Sequence, residues 1–288
     1  MNPSPDKPVV LCLSGLDPCG GAGIQADIET LQSLGCHCAP VITSLTVQDT
    51  VNISRIEAVP ADLFIEQAQA VIADLNVACI KIGLIGSLES LEAIRQLLLE
   101  HPHLPVVLDP ILRAGGGFDL GSTDIAAALS ARLLPLCSLI TPNTSEAQLL
   151  AGSGRNPQQW ASALLTTGCR YAAITGTHAS DEADQHRVTN RLYGMGADER
   201  GKLLSELSCE RLPDDYHGSG CTFASAVAAT LASNSGELSP RRVVAAFERA
   251  QAFTFASLLN AQALGGGQRL PDRRLEGGSL VESYTHDE

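Results

Sequence analysis

The chain has 288 residues, 44% apolar and 18% charged, with a formal net charge of -13 at pH 7. That length buries a sizeable core as one large domain or two small ones. The acidity argues against nucleic acid or an anionic membrane as main partner, so any bound phosphate must be held by backbone N–H groups, metal ions or a few placed cations.

Nine cysteines without regular spacing make no disulfide framework. Cys36 and Cys38 flank His37 with no second ligand pair nearby, and are read as incidental rather than metal-binding. The opening MNPSPDKPVVLCLSG has neither a basic region nor a long apolar run, so it is not read as a signal peptide. No stretch approaches the roughly 20 apolar residues of a membrane span. A cytoplasmic, reduced protein is expected.

The first strand, PVVLCLSG (8–15), runs into the glycine-rich turn GLDPCGGAG and a helix over 21–35. Asp17-Pro18 makes a turn, and Gly20, Gly21 and Gly23 let backbone approach a ligand closely. No Gly-Lys-Ser/Thr follows, so this is not a Walker A loop, and GGAG is not the dinucleotide fingerprint. A tight strand–helix connection explains the stretch equally well.

CAPVITSLT (38–46) is the next strand, followed by a helix over 61–75, the strand ACIKIGLIG (78–86) and a helix over 88–100. LPVVLDP (104–110) ends a buried strand on Asp109, either a cap for nearby backbone or a metal- or phosphate-orienting group. After RAGGG come a helix over 122–132 and the strand SLITP (138–142). Pro142 ends that strand, Asn143 or Thr144 can cap the helix over 144–151, and Glu146 sits in its first turn. Beside this plain helix start stands an equally weighted functional reading, in which the same Asn143 and Glu146 hold Mg²⁺ through waters.

A helix over 157–168 and the strand YAAITG (171–176) complete the alternation. Most of these strands lack in/out alternation, as expected of strands covered on both faces. Strand–helix alternation implies a parallel sheet with helices on both sides. TNRLYG and GKLLSELSCERL then read as short strands of an antiparallel edge, before helices over 218–233 and 240–264. Residues 1–264 are expected to form a single domain and 265–288 a loosely ordered tail.

YHGSGCTFASAVAATLA (216–232) is the strongest signal. Gly218, Ser219 and Gly220 would present successive N–H groups as an anion nest at a helix N-terminus, with Cys221 beside it. Ala224, Ser225, Ala226, Ala228 and Ala229 let that helix pack close to the sheet. The competing reading is a tight helix entry with an incidental cysteine. Ligands of open parallel sheets bind beyond the carboxyl ends of the strands, where this motif and the loops after four strands all fall.

In order along the chain, SGLDPCGGAGIQAD, VITSLTVQDT, IKIGLIGS, VVLDPIL, LLPLCSLITPNTSEA and HGSGCT resemble the hydroxymethylpyrimidine/phosphomethylpyrimidine kinases of the ribokinase-like superfamily. The likeness runs from about residue 9 to about residue 260. Each motif alone is weak, and the ordered set is specific.

The resemblance implies a three-layer α/β/α ribokinase-like fold, with a mostly parallel central sheet and a short antiparallel edge. The implied activity is Mg²⁺- and ATP-dependent phosphorylation of 4-amino-5-hydroxymethyl-2-methylpyrimidine and then of its monophosphate. By matching positions, Gly15, Asp17, Gln48, Leu84 and Ile111 would hold the pyrimidine. Asn143, Thr175, Gly176, Gly218 and Gly220 would hold ATP, and Glu146 and Asp109 the metal. Gly218, Ser219 and Gly220 would grip the transferring phosphate, with Cys221 as general base by position. A helix mouth lowers that thiol's pKa, whereas a neighbouring triphosphate raises it.

Two departures stand out. TGTH (175–178) replaces the family's Lys-Gly-Gly-His, so Thr175 stands where a lysine is usual. AGGG (114–117) replaces Ala-Lys-Ser-Gly, with Arg113 just before Gly115–Gly117. Both remove cations and bear on the second phosphorylation, whose substrate already carries negative charge. A pyridoxal kinase is the neighbouring alternative, and a pyrimidine-sensing pseudokinase the non-enzymatic one. Gln48 and GLDP favour the pyrimidine; intact HGSGC, Asn143 and Glu146 favour an enzyme. Family habit and an exposed apolar helix face suggest a homodimer, with no nucleic-acid or membrane partner.

Overall fold

The computed structural model describes residues 7–112, 123–176, 186–195, 200–234 and 236–274. Arg113, Gly115–Gly117 and residues 177–178 lie outside the described residues. Its centre is β1 (Val9–Leu16), paired in parallel with β2 (His37–Gln48) on one side and β4 (Val77–Ile82) on the other. β5 (Val106–Leu108), β6 (Leu139–Ile140) and β7 (Tyr171–Ile174) extend the parallel run. β8 (Arg187–Met195) and β9 (Arg200–Glu210) close it with antiparallel pairing. With β3 (Ile53–Ala58) antiparallel to β2, the nine strands run β3-β2-β1-β4-β5-β6-β7-β8-β9.

Alternate residues of β1 feed opposite layers, as a period of two requires. Leu11 and Leu13 pack with Phe64 of α2 (Ala61–Asp74) and Ile94 of α3 (Leu88–Glu100). The same layer takes α4 (Thr123–Ala128, continuing as π and 3-10 turns to Leu136), α5 (Thr144–Ala151) and α6 (Pro157–Thr166). Val10 and Cys12 pack with Leu31 of α1 (Gly23–Ser33), Val227 of α7 (Ser219–Ala232) and Phe247 of α8 (Pro240–Leu259). Helices thus cover both faces, giving the three layers.

The order turns back at β1 and β4, which opens a crevice beyond their carboxyl ends. The β1–β2 register also slips between Ser14 and Gly15, bending β1 where that crevice begins.

Four sequence expectations change. β3 was not foreseen: its residues ISRIEA mix polar and apolar side chains and are mostly exposed or half-exposed, an edge strand with no continuous apolar run. The β2–β3 hairpin turns on Asp49, whose carboxylate accepts from the N–H groups of Val51 and Asn52. The antiparallel edge is not short, since β8 and β9 have nine and eleven residues against two to six in β4–β7. The last helix stops at Leu259, not at 264.

The fourth change concerns the tail. Residues 265–274 are held against the domain: the N–H of Gln268 bonds the Thr50 carbonyl, and Arg273 is 1% exposed. Tertiary hydrogen bonds override a composition that predicts looseness; residues 275–288 lie outside the described residues. Cys36 and Cys38 turn into the apolar layer while His37 faces outward, so the three cannot share one ion. Among the described residues, no helix is long and apolar enough to cross a membrane.

Candidate active site

Two cavities meet beyond the carboxyl edge of the sheet. The first, about 350 Å³, is walled by Gly15, Asp17, Gln48, Leu84 and Ile111, the five positions expected to meet the pyrimidine. The second, about 400 Å³, lies over Gly176, Asn190, Phe223 and Gln251. They share Thr175, Tyr216, Ser219, Gly220 and Gln268. Asn143, Glu146, Asp109, Gly218 and Cys221 line the first cavity, so the structure brings the expected residues to one place.

Gly218 caps α7 with φ of 81°, a left-handed conformation that favours glycine. A Cβ there would stand 2.0 Å from the carbonyl oxygen of Gly21. No side chain caps this helix start, so its first-turn N–H groups are free to meet an anion. Gly220 differs: a Cβ would meet nothing nearer than Asp109 Oδ1, at 3.8 Å.

Asp109 follows β5, its N–H bonded to the Ile82 carbonyl, and its Oδ2 is buried without a partner. Burial pushes this carboxyl up to about 6 against the opposing pull of Lys81. Glu146 is pushed up to about 8 by burial and by the charge of Asp109. It also closes a full capping box, accepting from Asn143 N at 3.0 Å while Asn143 Oδ1 accepts from Glu146 N at 2.9 Å. The helix-start reading of TPNTSEA therefore holds as geometry, with its carboxylate turned to the cavity.

Burial pushes the Cys221 thiol up to about 12, and Asp109 adds to the shift. The helix mouth does not lower it: α7 is buried from Cys221 onward, and desolvation of a thiolate outweighs the helix dipole. With its thiol pushed that high, Cys221 stays protonated at neutral pH, and it lines the first cavity together with Asp109.

Asp17 has a second task in the loop after β1. Its Oδ1 accepts from Cys19 N at 2.8 Å, and its Oδ2 from Ala22 N at 2.8 Å, with His217 Nε2 at 2.9 Å. Burial opposes ionisation, but these bonds hold the carboxyl down to about 2. The carboxylate shapes its own loop and ties it to His217, while Asp17 remains in the wall of the first cavity. Gln48 does offer one, because its Oε1 is buried with no partner.

Gly176 N donates to Asn190 Oδ1 at 2.8 Å, and Asn190 in turn bonds Gln251, which fixes the floor of the second cavity. The hydroxyl of Thr175 reaches the Pro142 carbonyl at 3.4 Å.

The sequence reading missed a charged cluster beneath the crevice. Lys81 Nζ, fully buried in β4, lies 2.8 Å from Asp27 of α1 and 3.1 Å from Ser14 Oγ. Ser14 and Ser225 hydroxyls also donate to Asp27, each at 2.6 Å. Burial favours the neutral amine, yet Asp27, then Cys221 and Asp109, hold the Lys81 ammonium above its ordinary range. The signal was a lone lysine inside the apolar run ACIKIG. His217 and Gln268, which also line the first cavity, gave no separate signal.

A family model described as phosphomethylpyrimidine kinase matches residues 17–271. The chain is 36% identical over 264 residues to the thiamine biosynthesis bifunctional protein of Geobacter sulfurreducens, covering 90% of this chain and 50% of that one. It thus spans about half the length of that relative. It is 34% identical over 266 residues to the hydroxymethylpyrimidine/phosphomethylpyrimidine kinase of Rhizobium meliloti, covering 90% of this chain and 94% of the other. Among solved structures, an ADP complex of Bacillus subtilis pyridoxal kinase superposes with a TM-score of 0.77 at 25% identity, over 93% of this chain and 98% of that one. The ordered motifs, the layered sheet and the matched length agree: the chain belongs to the phosphomethylpyrimidine kinase family.

Proposed function

We propose that this kinase transfers the γ-phosphoryl group of ATP to the hydroxymethyl group of 4-amino-5-hydroxymethyl-2-methylpyrimidine, and then phosphorylates the monophosphate. The observation that carries the reading is the pair of adjoining cavities, which meet at Ser219 and Gly220 beside the uncapped start of α7. The unpaired Gln48 Oε1 in the first cavity suits a ring amino donor. Nucleotide occupies the second cavity, over Thr175 and Gly176.

Phosphoryl transfer passes through a loose transition state, so positioning and charge stabilisation do most of the catalysis. Backbone N–H groups of 218–220 face the transferring phosphate. With the thiol up at about 12, Cys221 does not take the alcohol proton first. That proton leaves late, toward the Cys221–Asp109 pair, and Cys221 serves by orienting the alcohol.

A divalent cation fits this donor set. Two buried carboxyls raised above their ordinary values, one with an orphaned oxygen, are relieved by positive charge. Asp109 and Glu146 would hold Mg²⁺, largely through waters, and the ion would neutralise phosphate charge.

The second phosphorylation is the slower step. Among the described residues lining the two cavities, Arg211 is the one lysine or arginine. Homodimerisation is supported by large apolar side chains exposed on the β2–β3 hairpin (Leu45, Val47, Val51) and on helices (Leu63 of α2, Leu99 of α3); sedimentation of the purified protein tests it.

Product analysis with Mg-ATP, the alcohol and its monophosphate tests the reaction. No turnover of the alcohol refutes it, and a higher kcat/KM for pyridoxal would transfer the assignment to that ring. Calorimetry that found pyrimidine binding with no ATP binding would instead support a sensor.

A further inference from the structure

We infer that Arg273 is a positioning residue for phosphoryl transfer, clamping the glycine loop after β1 to the first turn of α7 from a strap at residues 265–274. The inference rests on the kinase reading of the site, which turnover by the unaltered enzyme tests separately.

Arg273 is the largest fully buried side chain among the described residues. Its guanidinium reaches three elements. Nε donates to Thr222 Oγ1 of α7 at 2.8 Å, Nη2 donates to the Gly21 carbonyl, and Nη1 pairs with Glu29 of α1 at 3.0 Å.

The first two arms close a circuit. Thr222 Oγ1 donates its own hydrogen bond to the Gly218 carbonyl at 2.8 Å. Gly218 in turn stacks on Gly21, whose carbonyl oxygen occupies the space a Cβ would need. Two glycine-rich segments nearly 200 positions apart in the sequence thus have their spacing set by one planar fork.

The strap is anchored at both ends. Gly267 N donates to Thr50 Oγ1 at 3.0 Å and Gln268 N to the Thr50 carbonyl at 2.9 Å, on the β2–β3 turn. Arg269 N bonds the Asp215 carbonyl, and the Arg269 carbonyl accepts from His217 N at 2.9 Å, next to the anion hole. Ser33 Oγ donates to the Arg273 carbonyl at 2.5 Å.

An apolar side chain would fill the same gap with less desolvation cost. A guanidinium instead fixes the direction of several acceptors at once. That matters where reacting groups tolerate little displacement, since a misplacement of about 1 Å costs on the order of 10²-fold in rate.

Arg273→Met is expected to lower kcat by about 10- to 100-fold while KM for the pyrimidine changes less than about threefold, in folded protein assayed well below its Tm. Arg273→Lys should recover part of the loss. Thr222→Val, which breaks the circuit while leaving the guanidinium in place, should lower kcat similarly, and the double variant should be no worse than the worse single one. A kcat for folded Arg273→Met within about threefold of the unaltered enzyme overturns the inference, as do losses that multiply in the double variant. If Arg273→Met does not fold, Thr222→Val decides: a reduced kcat supports the clamp, and an unaltered kcat overturns it.

Discussion

Gly218 and Gly220 look alike in HGSGC, yet the structure gives them different reasons to be glycine. Gly218→Ala would force a Cβ into the Gly21 carbonyl at a left-handed φ, so it is expected to cost about 2 kcal/mol or more of stability in urea unfolding. Gly220→Ala has room and should fold normally, but its methyl projects toward Asp109 and the phosphate path, lowering kcat by about 10- to 100-fold. Cys221→Ser keeps a small polar group and should retain more activity than Gly220→Val; the reverse order would make the thiol the main catalyst.

Asp109 illustrates the cost of keeping such a site. Its folded pKa of about 6 exceeds its ordinary 3.8, so the buried carboxyl is harmless below about pH 4 and destabilises increasingly as pH rises through 6. Asp109→Asn should therefore match the unaltered enzyme's Tm near pH 4. At pH 8 without Mg²⁺ it should exceed it, by on the order of 1–3 kcal/mol of stability, while losing activity. Differential scanning calorimetry across that range checks the sign.

At the scale of elements, α7 does two tasks that favour the same small residues. Buried from Cys221 to Ala232, it needs Ala and Ser to approach the sheet, and that approach brings its N-terminus to the crevice. Ser225 on this helix, Ser14 on β1 and Lys81 on β4 converge on Asp27 of α1, tying helix layer to sheet below the site. Lys81→Met would leave Asp27 buried without its cation, an expected loss of about 3–5 kcal/mol in urea unfolding. Adding Asp27→Asn should restore part of it.

For the molecule as a whole, a net charge of -13 meets a reaction on polyanions. On the proposed reading, backbone dipoles hold most of the phosphate, and a second phosphate on the substrate meets few cations. Thr175 lines both cavities at the position of a usual family lysine. Thr175→Lys should raise kcat/KM for the monophosphate about tenfold or more relative to the alcohol. An unchanged ratio of the two specificity constants would mean that cations elsewhere already serve the second step.

The alternation of apolar and amphipathic runs, the turn residues and the ordered motifs determined the layered parallel sheet, the family and the central residues of the first cavity, whereas most of the second cavity's wall came only with the fold. These features are local, or depend on residue order alone. Tertiary structure decided what depends on neighbours distant in sequence. The Asp17 carboxylate braces its own loop against His217, the Cys221 thiol is raised by burial, and the mixed ISRIEA became an edge strand because β2 offered it a partner. The glycine-rich 265–274 reads as loose in composition but is ordered, because Arg273 finds its acceptors on residues 21, 29 and 222 only once the chain is folded. Propensity is a property of a segment, whereas burial and hydrogen-bond satisfaction belong to the assembled fold.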